Sequence, residues 1–247
     1  MIKKRVKNFL LSIRSKILSI PFIERPLPED PFKVGKILPK NIFIELNNKA
    51  INDNDTYSIN EFEKDNGFAI DSNWFKKLSL ITQTCIKKSK LNFNHGRVLY
   101  STLSKYIKAN NLDLNQKPLI ILETGTARGF SSICMAKAML DRNTLGIILT
   151  IDCVAHNKKI YWNSISDFDG KKTRGELLLD WEEELSRIIF VQGWSDNIIN
   201  RLGIQRINFA FLDAQHDKKS VIEEFIYVST RQKAGDIIVF DDVTQDK

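Results

Sequence analysis

The chain has 247 residues, 43% of them hydrophobic, with 37 Lys and Arg against 30 Asp and Glu for a formal net charge of +7, enough apolar content for one sizeable core plus an extension. Its three cysteines, Cys85, Cys134 and Cys153, are odd in number and lack C-x-x-C spacing, which argues against a disulfide framework and suits a reducing cytosol. No run approaches the roughly 18 apolar residues of a membrane span, and Arg14 and Lys16 interrupt the one stretch that resembles a signal-peptide core.

Residues 1–40 hold ten Lys or Arg and three Asp or Glu, so the whole formal excess is N-terminal. There Ile2, Val6, Phe9, Leu10, Ile13, Ile17 and Leu18 fall at helical spacing among Lys3, Lys4, Arg5, Lys7, Arg14 and Lys16, which predicts a basic amphipathic helix. Such a helix can lie on an anionic membrane surface through residues 1–20; equally, its apolar face can dock on the rest of the chain or on a second subunit of a homo-oligomer. Nucleic acid is not expected as a partner, because a basic arm without a stacking or groove-reading module gives little specificity. Pro21, Pro26, Pro28 and Pro31 mark a linker. Residues 41–66 read as polar and irregular apart from a short strand-like IFIEL at 42–46, and residues 74–90 and 96–108 as two amphipathic helices. Three domains follow: a basic helix and linker over 1–40, an extension with lid helices over 41–115, and a core over 116–247.

The core opens on LIILETGTARGFSSICMA at 119–136. Residues 119–122 form an apolar run suited to a parallel sheet, Glu123 ends it, Gly125 and Gly129 bracket a tight turn, and Ser131 and Ser132 open a helix. Glycine lets the backbone take unusual dihedrals and approach a ligand closely, and the helix start offers unpaired N–H groups. A dinucleotide fingerprint would need glycine at 127 and 130, where the chain has Ala127 and Phe130, so an NAD-dependent dehydrogenase is the disfavoured alternative. Four further strands follow at 146–152, 187–192, 207–212 and 236–240, separated by helical stretches that include 218–233. This alternation predicts an α/β fold with a doubly wound parallel sheet. Ligands of such sheets bind beyond the carboxyl ends of the strands, where Glu123, Asp152, Asp213, Asp241 and Asp242 all fall.

Asp152, in isolation, reads as a turn cap or as an acceptor for both ribose hydroxyls. Asp213, Asp241 and Asp242 would repel one another unless a cation joined them, and an all-oxygen set suits Mg2+; the alternative makes one a turn cap and the other solvated. His216, three residues past Asp213, is a candidate general base or a surface histidine. His95 and His156 show no metal-ligand spacing and support no catalytic role.

ETGTARGFS, VQGWS, FLDAQH and GDIIVFDD, in this order and spacing, resemble class I S-adenosylmethionine-dependent methyltransferases, and within them the metal-dependent macrocin and rhamnosyl O-methyltransferase and cephalosporin-hydroxylase-like group. The resemblance implies that Glu123, Gly125, Gly129 and Ser131 hold the methionine portion of S-adenosylmethionine, Asp152 the ribose, and Ser195 with Asp196 the adenine, with Thr126, Ala127, Cys153 and Gly193 completing the contact. It implies Mg2+ on Asp213, Asp241 and Asp242, with His216 or Asp213 taking the proton of a sugar-like or other diol hydroxyl. It also implies a Rossmann-like core of which five strands are present and the last two missing, so that the chain reads as C-terminally truncated. The remaining alternative is a non-catalytic cofactor-binding protein tethered to a membrane or partner by its basic helix.

Overall fold

The computed structural model describes residues 27–53, 56–112, 118–214 and 218–242. The basic helix expected over residues 1–20, Pro21, Pro26, His216 and residues 243–247 lie outside the described residues.

The sheet is all-parallel. It contains β1 (Leu119–Thr124), β2 (Gly146–Asp152), β3 (Ile188–Gln192), β4 (Phe209–Leu212) and β5 (Ile237–Phe240), in the order β3-β2-β1-β4-β5. Strand order therefore reverses between β1 and β4, the switch point at which a crevice opens above the carboxyl ends. The central strands β1 and β4 bury both faces, which explains their unbroken apolar runs, while the edge strands β3 and β5 are only partly covered. Leu119, Ile121, Ile148, Phe209 and Phe211 enter one core, whereas Leu122, Ile151, Ala210 and Leu212 enter the other, as the two-residue period of a strand requires. β1 runs two residues beyond the apolar stretch, because Glu123 and Thr124 keep pairing with β2 and β4.

Helices α1 (Lys40–Asp53), α2 (Thr56–Asn66), α3 (Ser72–Thr82) and α4 (Asn94–Ala109) precede the sheet. The expected irregular segment over 41–66, with its strand at 42–46, is thus corrected to two helices. Phe43, Asn47 and Ala50 are buried at helical spacing while Ile44 points outward, and buried Asn47 donates to the Ser79 hydroxyl on α3 at 3.3 Å. α2 is fastened to α4 by Arg97, whose Nε donates to Glu63 at 3.0 Å.

α3 also stops eight residues short of the expected end at Lys90. The Thr82 and Thr84 hydroxyls donate back to Leu78 O at 2.7 Å and Ser79 O at 3.0 Å, local bonds that compete with helix continuation. α4 lays Leu99, Leu103 and Ile107 against α5 (Phe130–Asp141), the helix that follows β1.

The segment between β2 and β3 holds short turns of helix, among them α6 (Arg174–Leu177) and α7 (Glu182–Leu185). α8 (Ser195–Ile198) follows β3, and α9 (Lys218–Ser229) joins β4 to β5. Among the described residues no helix is long and apolar enough to cross a membrane.

Candidate functional site

The turn after β1 is shaped by residues that only glycine can replace. Gly125 has φ +90°, and a Cβ there would meet the Asp213 carbonyl oxygen at 2.0 Å. Gly129, also at φ +90°, caps α5. Between them Ala127 takes φ +45°, held from both sides: its N–H donates to Asp152 Oδ2 at 2.5 Å, and its carbonyl accepts from Arg174 Nε at 3.0 Å. Arg128, the bulkiest side chain of the turn, points away from the crevice. Its Nε donates to Trp162 O at 2.5 Å and its guanidinium lies 4.1 Å over the Phe32 ring.

Above this turn lies a cavity of about 310 Å³, walled among others by Gly125, Ala127, Asp152, Cys153, Gly193 and Ser195, within the size range of small-molecule sites. Six of the expected cofactor residues therefore meet at one cavity, with Asp213 and Ala214 on the far wall.

The other five do not line it. Glu123 is fully buried beneath the turn, where its carboxylate accepts hydrogen bonds from the hydroxyls of Ser131 and Ser132. Thr126 pairs with Thr150 at 2.5 Å. Glu123, Thr126, Gly129 and Ser131 shape the turn from below, and Asp196 sits one residue beyond the lining Ser195. Trp162, in the long β2–β3 segment, packs on Phe32 and donates its Nε1 to Lys172 O at 2.8 Å.

Asp152 is both a turn cap and a cavity wall. Its oxygens accept from the N–H of Ala127 and, at 2.6 Å, of Val154, and a carboxylate retains lone pairs for further donors. Cys153 beside it is pushed up to about 11 by burial and by the Asp152 charge, so it meets the cavity as a neutral thiol. The Ser195 hydroxyl is buried and has no hydrogen-bond partner among the described residues, as expected of a group that a polar ligand completes.

The acids gather where the strand ends predict. β5 ends at Phe240, so Asp241 and Asp242 both lie past the pleat. Asp213 is pushed up to about 8, first by burial and then by the charges of Asp241, Glu123 and Asp242, and it hydrogen-bonds to Asp241. The expected magnesium set does not form: among the described residues no group of three His, Cys, Asp or Glu side chains is close enough to hold a metal ion. Asp213 relieves the repulsion by holding its proton up to about pH 8.

His95 is the residue that sequence reasoning missed. From the start of α4 it stacks on Phe211 of β4 at 6.3 Å and meets the Phe130 edge at 5.0 Å. Burial lowers it to about 4 against the pull of Asp241 and Asp242, with Lys87 also lowering it, so a neutral imidazole stands beside the acids. No spacing within the chain signals it, since its neighbours come from β4, β5 and α5.

Residues 122–243 match a family described as a methyltransferase domain. No curated protein sequence matches the chain. Among solved structures it is similar to the O-methyltransferase TomG from Streptomyces achromogenes, involved in tomaymycin synthesis and in complex with SAM, at 18% identity over 70% of this chain and 66% of that one, with a TM-score of 0.42. It is also similar to the SAH-bound methyltransferase PaMTH1 of Podospora anserina, at 14% identity over 84% of this chain and 73% of that one, with a TM-score of 0.42. The chain thus spans just under two thirds of the length of TomG.

Proposed function

We propose that this chain, whose residues 122–243 match a methyltransferase domain, transfers a methyl group from S-adenosylmethionine to a hydroxyl oxygen of a small-molecule acceptor. The observation that carries the reading is the cavity at the sheet's switch point, where Gly125, Ala127, Asp152 and the unpartnered Ser195 hydroxyl meet inside that matched segment. When bound, the cofactor supplies an electrophilic methyl carbon on a positively charged sulfur.

The chain's own residues do the rest. The turn at Gly125 and Ala127 receives the amino-acid end, with Glu123 fixing the turn through Ser131 and Ser132. Asp152 accepts from the ribose hydroxyls through the lone pairs its backbone donors leave open, and Ser195 with Asp196 meets the adenine end. Thr126, Gly129, Cys153 and Gly193 set the shape of this cradle. Asp213, pushed up to about 8 beside Asp241, is the candidate to take the acceptor's hydroxyl proton. Neutral His95 lies against that pair; His216, outside the described residues, is the second candidate base. Positioning of the hydroxyl oxygen against the methyl carbon supplies most of the acceleration.

Adjacent hydroxyls on the acceptor suit the paired acids, which supports a sugar-like or other diol acceptor. Magnesium assistance would require a cation to replace the proton of Asp213; among the described residues no three such side chains gather for it, and no step here runs through a metal. A Mg2+-dependent stabilisation that Asp241→Asn with Asp242→Asn removes would restore the metal site. Titration calorimetry of the whole chain tests the main reading: binding of S-adenosylmethionine, weakened about tenfold or more by Asp152→Ala, is the expected result. Binding of NADH in its place sinks the proposal.

A further inference from the structure

The 3-10 turn at Ile165–Asp169, in the β2–β3 segment, turns an ordinary surface inside out. Ser164, Ser166 and Asp167 are buried, whereas Phe168 beside them is 60% exposed. Buried polar residues and an exposed aromatic ring reverse the usual preference, and the turn is built to hold them so. Ser164 and Asp167 form a capping box, and Asp167 also accepts the Trp162 N–H at 2.7 Å. Phe168 is thereby fixed on the outside.

Helix α1 continues the patch. It packs on the turn, and its Lys40 donates to Asp169 at 2.8 Å with the ammonium 5.1 Å over the Phe168 ring. Ile44, one helical turn on from Lys40, is 44% exposed, and Ile37, just before the helix, is 40% exposed. The chain ahead of α1 is anchored in the same region: Phe32 packs at 5.5 Å on Trp162, the residue bonded to Asp167 of the turn. Residues 1–26 join the fold shortly before that anchor. They carry seven Lys or Arg against one acid, with apolar residues at helical spacing among them.

From these features we propose that Ile37, Ile44 and Phe168, together with residues 1–26, dock the chain on the surface of an anionic lipid bilayer. The inference stands apart from the methyl-transfer reading and needs no part of it. The folded face and the N-terminal segment supply different attractions. On the folded face Lys40 and Lys172 are offset by Asp169, so its contribution is the burial of three apolar side chains at the boundary between headgroups and acyl chains. Residues 1–26 contribute the charge: clustered Lys and Arg are drawn to anionic headgroups, while the apolar residues among them enter the same boundary. A single attraction of this kind gives marginal, reversible binding, and a second placed beside it makes attachment stable. A second copy of the chain is the poorer occupant, because two segments with the same excess of positive charge repel. Nucleic acid would satisfy the charge and leave the apolar face in water.

The test is co-sedimentation of the whole chain with vesicles of phosphatidylcholine alone and of phosphatidylcholine with phosphatidylglycerol. The chain should bind the anionic vesicles about tenfold or more tightly than the neutral ones and lose that preference in about 1 M salt. Ile44→Ser with Phe168→Ser, two surface changes that should leave the melting temperature in place, should weaken binding about tenfold or more. Lys3→Glu with Lys4→Glu and Lys7→Glu should abolish the preference for anionic vesicles. Equal binding to both vesicle types, no binding to either, or wild-type affinity in the Ile44 and Phe168 variant overturns the proposal. So does a dimer, seen in sedimentation without vesicles, that the same variant splits, because the face would then belong to a second copy.

Discussion

Gly125 stands where three parts of the site meet: the end of β1, the start of the cofactor turn and the backbone of Asp213. Gly125→Ala would place a Cβ 2.0 Å from the Asp213 carbonyl oxygen at a φ of +90°, a conformation that costs a residue with a side chain about 1–3 kcal/mol before any clash. The expected outcome is a loss of at least about 2 kcal/mol in chemical denaturation together with loss of S-adenosylmethionine binding. Wild-type stability in this variant would show that the turn adapts freely.

Asp213 carries a second prediction, on pH. Its carboxyl titrates near 8 in the fold and near about 3.9 unfolded. Between these values the folded chain holds a proton that the unfolded chain has lost, so stability falls as pH rises, by at most about 1.4 kcal/mol per unit. His95 acts oppositely. Lowered to about 4 from an unfolded value of about 6.5, it adds stability as pH rises through that lower window and offsets Asp213 there. The Asp213 contribution therefore stands out between pH values of about 6.5 and 8. Denaturation in the presence of a chelator should show wild type losing stability across that window, and Asp213→Asn losing markedly less. Equal slopes would place the proton elsewhere. At this scale the sequence singled out Gly125, Asp152 and Ser195 because each lies at or just past the end of an apolar strand run. It hid His95, whose role depends on Phe211, Asp241 and Asp242 arriving from strands far along the chain.

Elements were legible in proportion to how much of their surface is apolar. All five strands were found within two residues, because the central ones, buried on both faces, show unbroken apolar runs and the partly covered edge strands β3 and β5 remain almost wholly apolar. α1 and α2 were misread, since each buries only a narrow face and α1 gives one of its inward positions to Asn47, a polar residue that stays buried by bonding to Ser79. Their amphipathic signal is correspondingly weak.

The long β2–β3 segment shows the same limit. Its purpose was not visible in the sequence, because that purpose is carried by one side chain. Arg174 of α6 is almost fully buried, donates to Ala127 O at 3.0 Å and to Val154 O at 3.3 Å, and has its guanidinium 5.2 Å over the Phe190 ring. It ties the insertion to both the cofactor turn and the residue pair after β2. Arg174→Met keeps most of the packing volume and removes both donors, so it should destabilise the chain by about 3 kcal/mol, as for other buried charge partners. It should also weaken S-adenosylmethionine binding, because Ala127 loses one of its two restraints. Full affinity in a variant that remains folded would confine Arg174 to a packing role.

At the scale of the molecule, the sheet and the helices before it form different cavities. Strand ends form the proposed cofactor cavity, whereas α1 and the connection before α4 line a separate cleft. Of the three acids only Asp213 lines the proposed cofactor cavity, and the groups that would bind the cofactor, Asp152 and Ser195, belong to β2 and α8, so Asp241 and Asp242 should not affect cofactor binding. Ligand linkage turns this into a measurement. A ligand at about 100 times its Kd stabilises the folded state by about 2.7 kcal/mol, which for a chain of this size raises the melting temperature by about 5–10 °C. S-adenosylmethionine should produce that rise equally in Mg2+ and in chelator, and Asp241→Asn should leave it intact, whereas Asp152→Ala should abolish it. If Mg2+ were instead required for the rise, Asp241 and Asp242 would belong with Asp213 to the cofactor's own site.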